Sequence, residues 1–487
     1  MSEFKEYSRL DGLAIADLIR RGEVTASEVL DAALARLDTV NPTVNAVVQD
    51  LREGARLQVD GGALTGPFAG VPFLIKDFAI NLAGTPTTFG SRLMKNALAE
   101  TDSAMMGRYK EAGLVTLGKT ATSEFGFNAA TEALAYGAPT RNPWDLRRSA
   151  SGSSGGSAVA VATGVVPVAH ADDGGGSIRL PASHNGVFGL KPTRGRVPFG
   201  PTLPDSAFAG LAAPHVITRT VRDSAAMLDA TAGPDIGATY FAPPPAHTFL
   251  SALERPTAKL RIAYCEALTF DTPVHPDCQA ALADAVQLCE SLGHDLVPLD
   301  ANLNLDEFSR QWCTAIVAWL ATFIDGAAAG LGMVPSLDNL ESVTLSALQY
   351  GRAQPSRDLV LATLAFNDIS RQIGGWFEDH DILLTPTVSK PPPLLGVMDQ
   401  NASGADAYEF VREHLFALGH TCGFFNVSGN PAMSVPLFWT ADGLPIGTQF
   451  VARYADERTL FGLAGQLERA RCWHDRRPPV VEDNCCG

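Results

Sequence analysis

The chain has 487 residues, 46% of them hydrophobic and only 18% charged, below the roughly 25% charge of an average soluble domain, so it has apolar material for a large core. A formal net charge of -16, with no Lys/Arg-rich run to offset it locally, disfavours nucleic acid and anionic membrane surfaces as partners and favours a neutral or cationic small molecule. The amino terminus, Met1 to Tyr7, lacks the apolar stretch of a signal peptide, and no run approaches the about 18 apolar residues of a membrane span, which predicts a cytoplasmic protein.

Thr25-Ala-Ser-Glu28 reads as a capping box, and Val29, Leu30, Ala33, Leu34 and Leu37 follow at helical spacing until Asn41-Pro42 stops the pattern. A shorter helix over Leu13 to Arg20 precedes it, so residues 1–60 are expected as amino-terminal helices packed on the core. From Gly70 the short apolar runs Val71 to Ile75, Leu114 to Leu117 and Val165 to Val168 read as strands alternating with helical or Gly/Ser-rich stretches, an α/β layering. Residues 243–354 read as a mainly helical, substrate-shaping region, with a strand at Arg261 to Tyr264 and a helix at Cys278 to Leu292. Asp381 to Thr385 and Ala432 to Val435 read as further buried strands, and Thr459 to Ala470 as a closing helix. No Ser/Gly- or Pro-rich linker and no internal repeat divides the chain, which predicts one domain over 61–475 and a tail at 476–487.

The eight cysteines, Cys265, Cys278, Cys289, Cys313, Cys422, Cys472, Cys485 and Cys486, contain no Cys-x-x-Cys pair and read as core thiols, the last two lying in a polar tail. The ten histidines show no His-Glu-x-x-His pattern. His170 with Asp172 and Asp173, and Glu378 to Asp381, are spaced too weakly for a metal and read as locally bonded loop residues. Neither a metal nor a cofactor is expected.

The densest chemical signal is Ser151-Gly-Ser-Ser-Gly-Gly-Ser157, followed by Ala171-Asp-Asp-Gly-Gly-Gly-Ser-Ile-Arg-Leu-Pro181. Glycine runs let backbone N–H groups converge on one point because no Cβ blocks the approach, which suits an anion or oxyanion. A flexible linker is excluded by the apolar stretch Ala158 to Val168 between the two segments. Gly113-Leu-Val-Thr-Leu-Gly-Lys-Thr120, with Lys119, matches the phosphate-loop letters, but its four variable positions are themselves strand-like and helical letters precede it, the reverse of a phosphate loop. Gly152-Ser-Ser-Gly-Gly156 matches a nucleophile elbow centred on Ser154, but the polar, proline-broken run Asn142 to Ser149 ahead of it is unlike the buried strand an elbow needs.

Taken together, Gly70-Val-Pro-Phe-Leu-Ile-Lys-Asp77, Gly118 to Gly126, Thr140-Arg-Asn-Pro-Trp144, Ser151 to Ser157, Gly175 to Arg179 and Gly189 to Arg196 resemble the amidase signature family in order and spacing. Phe425 to Ala432 and Gly443 to Val451 resemble its closing core strands, so the resemblance spans nearly all of the chain. It implies a mixed, mainly parallel β-sheet sandwiched by helices, with the phosphate-loop letters in a strand and turn.

Carried over residue by residue, the resemblance implies Ser177 as nucleophile, Ser153 as bridging serine after a cis Gly152–Ser153 bond, and Lys76 as base. A serine hydroxyl is too weak an acid to attack an amide unaided. A lysine serves as base only where burial favours its neutral form, so Asp77 is expected to point away from Lys76. The amides of Gly174, Gly175, Gly176 and Ser177 are the implied oxyanion hole. Ser154, Asp173 and Arg179 are supporting residues, the last two tying the loop down. Ser151 stands where a glycine is common, and Asp172 and Gly174 where threonines are common; none has an implied catalytic role.

Leu180 follows Arg179 where glutamine-using amidotransferase A-type subunits commonly carry glutamine, which counts against a glutamine donor. Pro167 to Ala171, Arg179 to Ser183 and Gly189 to Val197 are most similar to the 6-aminohexanoate-cyclic-dimer hydrolase branch. The expected substrates are therefore small amides, either oligoamides of the nylon-oligomer kind or aryl amides and carbamates (urethanes). Trp312, Trp319 and Phe323, with loops near Phe425, are expected to shape the pocket, although such spacing also suits a core helix. A homodimer is left open.

Overall fold

A computed structural model of the protein describes residues 4, 6–62, 64–201, 203–254, 258–269 and 273–482. Its strands are β1 (Val47–Asp50), β2 (Pro72–Lys76), β3 (Val115–Thr120), β4 (Val168–Asp173), β5 (Phe188–Lys191), β6 (Ala213–Thr218), β7 (Arg261–Tyr264), β8 (Asp295–Pro298), β9 (Ile382–Pro386), β10 (Ala432–Trp439) and β11 (Pro445–Ala452). They form one 11-stranded sheet in the order β1-β3-β2-β4-β6-β5-β10-β11-β9-β7-β8. The sheet is mixed, as the resemblance implies. Parallel pairings occupy two flanks, β3–β2–β4 and β9–β7–β8. The middle from β4 through β6, β5, β10 and β11 to β9 is antiparallel. Every residue of β2, β3 and β4 is buried, the signature of strands covered on both faces.

The helices are α1 (Gly12–Arg20), α2 (Ala26–Val44), α3 (Arg52–Asp60), α4 (Ala104–Glu111), α5 (Gly155–Ala162), α6 (Arg179–Asn185), α7 (Val221–Thr231), α8 (Pro276–Ser291), α9 (Leu305–Leu331), α10 (Ser342–Ala353), α11 (Ser356–Asp379), α12 (Ala407–Phe410), α13 (Cys422–Ser428) and α14 (Glu457–Ala470). Helices α2, α5, α7, α8 and α14 pack on the sheet, while α10 and α11 pack on α9. The capping box at Thr25 is present in both directions, which fixes the start of α2.

Several expectations are corrected. Helix α2 runs through Pro42 to Val44, because a proline this close to the end removes a bond from a turn that is ending anyway; Asn45 closes it in the left-handed conformation (φ 49°). Asn41 then clamps the turn, accepting from the amides of Ala46 (2.9 Å) and Val47 (2.8 Å). The amino-terminal region is not helical alone, since β1 adds an antiparallel edge strand to β3. Val165 and Val166 are buried but irregular, and the strand begins only after Pro167, which has no N–H for the ladder. Phe425 lies on α13, which stops at Gly429 (φ 78°); the strand starts at Ala432. The helical middle continues past Pro355 through α11.

Helix α9 has the length and hydropathy of a membrane span by composition, contrary to the reading that no run approaches one. In the fold, its Phe308, Trp312, Val317, Leu320 and Ile324 are buried among neighbouring elements. Cys265, Cys278, Cys289, Cys313 and Cys422 are buried as expected, whereas Cys472 is exposed beside His474 and Asp475. Cys485 and Cys486 lie outside the described residues.

Candidate active site

The centre is built where β2 and β4 run side by side. Lys76, the last residue of β2, is fully buried; its Nζ lies 2.7 Å from Ser153 Oγ and 2.9 Å from Asp172 Oδ1. The face of Phe78 lies 4.8 Å from the same nitrogen. Burial pushes Lys76 below the ordinary lysine range, against the opposing pull of Asp172 and, more weakly, Asp173. Burial likewise holds Asp172 above the carboxylate range, against the pull of Lys76.

Ser153 follows a cis peptide bond with Gly152, and the chain enters α5 at once. Gly156 lets α5 sit against the sheet: a Cβ there would lie 2.5 Å from the Ala121 nitrogen and 2.6 Å from the Ala46 oxygen. Ser154 is turned away from the base, its hydroxyl donating to the Asp172 carbonyl at 3.3 Å.

The second glycine segment is shaped by Asp173. Its carboxylate takes Arg179 in a two-pronged ion pair, Nη2 to Oδ1 at 2.8 Å and Nε to Oδ2 at 2.9 Å, with both side chains fully buried. Asn426 Nδ2 donates to Asp173 at 2.9 Å, and Arg179 Nη1 reaches Gln449 Oε1 at 2.7 Å. Burial alone would raise the Asp173 carboxyl, but Arg179 holds it well below the usual range. The Asp173–Arg179 pair was expected; its buttresses Asn426 and Gln449 were not. Both lie far along the chain, inside segments whose letters signal only core.

One expected role changes. The Gly176 amide donates to Asp173 Oδ1 at 2.8 Å, so it is spent on holding the loop. The amides of Gly174, Gly175 and Ser177 are free of hydrogen bonds among the described residues, and these three residues line the same cavity. Ser177 is 7% exposed there, its hydroxyl unbonded among the described residues.

That cavity, about 40 Å³, is bounded by Ser153, Asp172, Gly174, Gly175 and Ser177 on one side and by Phe78, Phe125, Phe127, Phe208, Trp312 and Leu415 on the others. Trp312 stacks on Phe127 with centroids 6.2 Å apart and donates its indole N–H to the Gly174 carbonyl at 3.3 Å. Trp319 stacks on Phe323 at 5.2 Å and meets Phe208 at 4.0 Å. Phe323 and Phe89 line a second, more apolar cavity of about 460 Å³. Thus Trp312 lines the cavity beside Ser177, Phe323 the neighbouring one, and Phe425 neither. A larger depression, about 1090 Å³ beside α3, is lined by none of Lys76, Ser153 and Ser177.

Other sequence candidates resolve locally. Lys119 is buried within β3 and donates to Pro86 O and Thr87 Oγ1, so the phosphate-loop letters form a strand. Asp77 points away from Lys76, as expected, accepting from the Thr88 amide at 2.8 Å and the Tyr136 hydroxyl at 3.0 Å. His170 Nδ1 faces the Lys76 amide at 3.4 Å, and His380 Nδ1 sits 2.7 Å from the Trp376 carbonyl. Asp172 is the residue that the motif reading left without a role.

The amidase family matches residues 28–461 of the chain. The chain is 37% identical over 484 residues to the 6-aminohexanoate-cyclic-dimer hydrolase of Paenarthrobacter ureafaciens, covering 97% of each. A solved 6-aminohexanoate cyclic dimer hydrolase complexed with substrate is similar with a TM-score of 0.89 at 34% identity, covering 97% of this chain and 99% of that one. A bacterial aryl acylamidase of the amidase signature enzymes is similar in fold, with a TM-score of 0.87 at 24% identity, covering 98% of both.

Proposed function

The chain belongs to the amidase family, and from that premise we propose that it hydrolyses carboxamide C–N bonds through an acyl-enzyme formed on Ser177. The observation that carries this reading is the 2.7 Å contact between buried Lys76 Nζ and Ser153 Oγ, in a cavity that Ser177 also lines. Neutral Lys76 takes the Ser153 proton, and Ser153 takes that of Ser177 as Ser177 Oγ attacks the amide carbon. The amides of Gly174, Gly175 and Ser177 receive the developing oxyanion. The proton returns through Ser153 to the departing nitrogen, and water then hydrolyses the ester by the same path.

The substrate class is a hydrophobic linear or cyclic amide of the nylon-oligomer kind. The similarity to a cyclic-dimer hydrolase at 37% identity supports it, as does a wall made of Phe78, Phe125, Phe127, Phe208 and Trp312. The parallel Trp312–Phe127 pair favours one alternative, a flat aryl amide or aryl carbamate. Parallel assays with the cyclic dimer of 6-aminohexanoate, an acetanilide, an aryl carbamate and glutamine discriminate these; turnover of glutamine alone would overturn both. A fluorophosphonate probe is expected to add its mass to the peptide carrying Ser177. Labelling at Ser154 instead would replace this reading with the nucleophile elbow.

A further inference from the structure

Side chains along β4 alternate between the two faces of the sheet. His170 and Asp172 turn toward Lys76, while Asp173 turns to Arg179. Asp172 Oδ1 is 2.9 Å from Lys76 Nζ, and Oδ2 is buried with no hydrogen-bond partner. The two side chains are 0% and 5% exposed, and among the described residues no second cation is paired with this carboxylate.

The remaining groups around Lys76 are quiet. From the chain just after β2 comes the ring of Phe78, and from the loop before α5 the neutral Ser153 hydroxyl. Burial keeps His170 of β4 neutral and, on α4, Tyr109, whose ring lies 5.9 Å from that of His170. Asp173 is neutralised by Arg179. Among the described residues, Asp172 is the ionisable side chain bonded to the base.

We propose that Asp172 is a positioning residue for Lys76, serving it as the aspartate of a Ser-His-Asp triad serves its histidine: it aims the base at Ser153 and stabilises the base once protonated. The inference rests on the Ser177 relay proposed above. Neutral Lys76 has one lone pair and two N–H bonds; an N–H to Asp172 leaves the lone pair directed at the Ser153 hydroxyl. As the Ser177 Oγ–carbon bond forms and the carbonyl electrons move to oxygen, the Ser177 proton passes to Ser153 and the Ser153 proton to Lys76. An ammonium then stands against the carboxylate, until the proton returns to the nitrogen as the C–N bond breaks.

The same charge acts in two opposed ways. It makes Lys76 a stronger base, which raises the rate once the lysine is deprotonated, and it stabilises the resting ammonium, which delays that deprotonation to higher pH. Asp172→Asn keeps the shape and an acceptor oxygen but removes the charge. The acid limb of kcat/KM should move down by about one pH unit or more, while the alkaline plateau falls about tenfold or more, with little change in KM. The pH dependence of fluorophosphonate labelling at Ser177 should show the same displacement without any substrate. Asp172→Thr, a second neutral variant, must shift the limb in the same direction, and it decides the matter if Asp172→Asn does not fold. A plateau that falls while the limb stays in place would mean mere structural support and would overturn the proposal, as would an unaltered profile. Lys76→Met separates the two readings. If it keeps turnover the relay itself fails, whereas its inactivity together with an unmoved limb in Asp172→Asn rejects Asp172 alone.

Discussion

Lys76 is held between two opposed influences, burial that removes its proton and carboxylates that retain it, with burial the stronger. The unprotonated fraction of the base grows with pH, so activity is expected to rise through neutrality to an alkaline plateau. The limb reports the coupled Lys76, Ser153 and Ser177 unit together with Asp172, not one residue. Lys76→Met should lower kcat by orders of magnitude and flatten the limb, as measured by initial rates across pH; near-normal turnover in that variant would remove the relay. Lys76, Ser153 and Ser177, the proposed relay, could be picked out through the family resemblance because each sits in a run of distinctive letters. Asp172 could not, since its contact with Lys76 depends on which strands are neighbours and which face each side chain takes. The commitment of the Gly176 amide was hidden for a similar reason, because a glycine run does not show which of its N–H groups turns inward.

Helix α9 presents Trp312 and Ile316 to the cavity beside Ser177 and, about two turns further on, Phe323 to the neighbouring one. Its position depends on α10 lying close against it at Gly351, where a Cβ would fall 2.1 Å from the Val317 carbonyl oxygen and 2.6 Å from the Ala321 side chain. Gly351→Ala is therefore expected to force the helices apart and cost about 1–3 kcal/mol, read as a lower Tm by calorimetry. An unchanged Tm would show that this approach is not a tight one. At this scale the sequence was legible wherever one element fills one apolar run. The strand at Arg261 to Tyr264 matches β7, and Thr459 to Ala470 falls inside α14. It misled where an apolar run continues through a boundary set by backbone chemistry, as at Pro167 ahead of β4, and the family resemblance misled over Phe425 to Gly429, which is helical ahead of β10.

Across the whole molecule, the residues of the proposed proton path come from the end of β2, the loop before α5 and the turn after β4, whereas the aromatic wall joins Phe78, Phe125, Phe127 and Phe208 to Trp312 of α9. The two halves of the sheet join where β5 pairs antiparallel with β10, and Arg179 bonds across that divide to Gln449, Asn426 and the Cys422 carbonyl. We infer that residues 61–475 unfold as one unit. Loss of near-ultraviolet tryptophan signal, loss of far-ultraviolet helix signal and loss of activity should coincide on heating; activity vanishing well before either signal would mark the wall as separately stable. The α/β class and the family could be read from motif order, whereas the span-like composition of α9 was missed although the letters carry it, and its burial depends on partners distant in sequence.

The cavity beside Ser177, at about 40 Å³, has room for no more than a few water molecules. On the proposed acyl-enzyme reading, the acyl part bound at Ser177 takes up most of that space. The water that ends the proposed cycle then enters where the departing amine has left. On that reading, another nucleophile small enough to enter the same space competes with water for the acyl group in proportion to its concentration and reactivity.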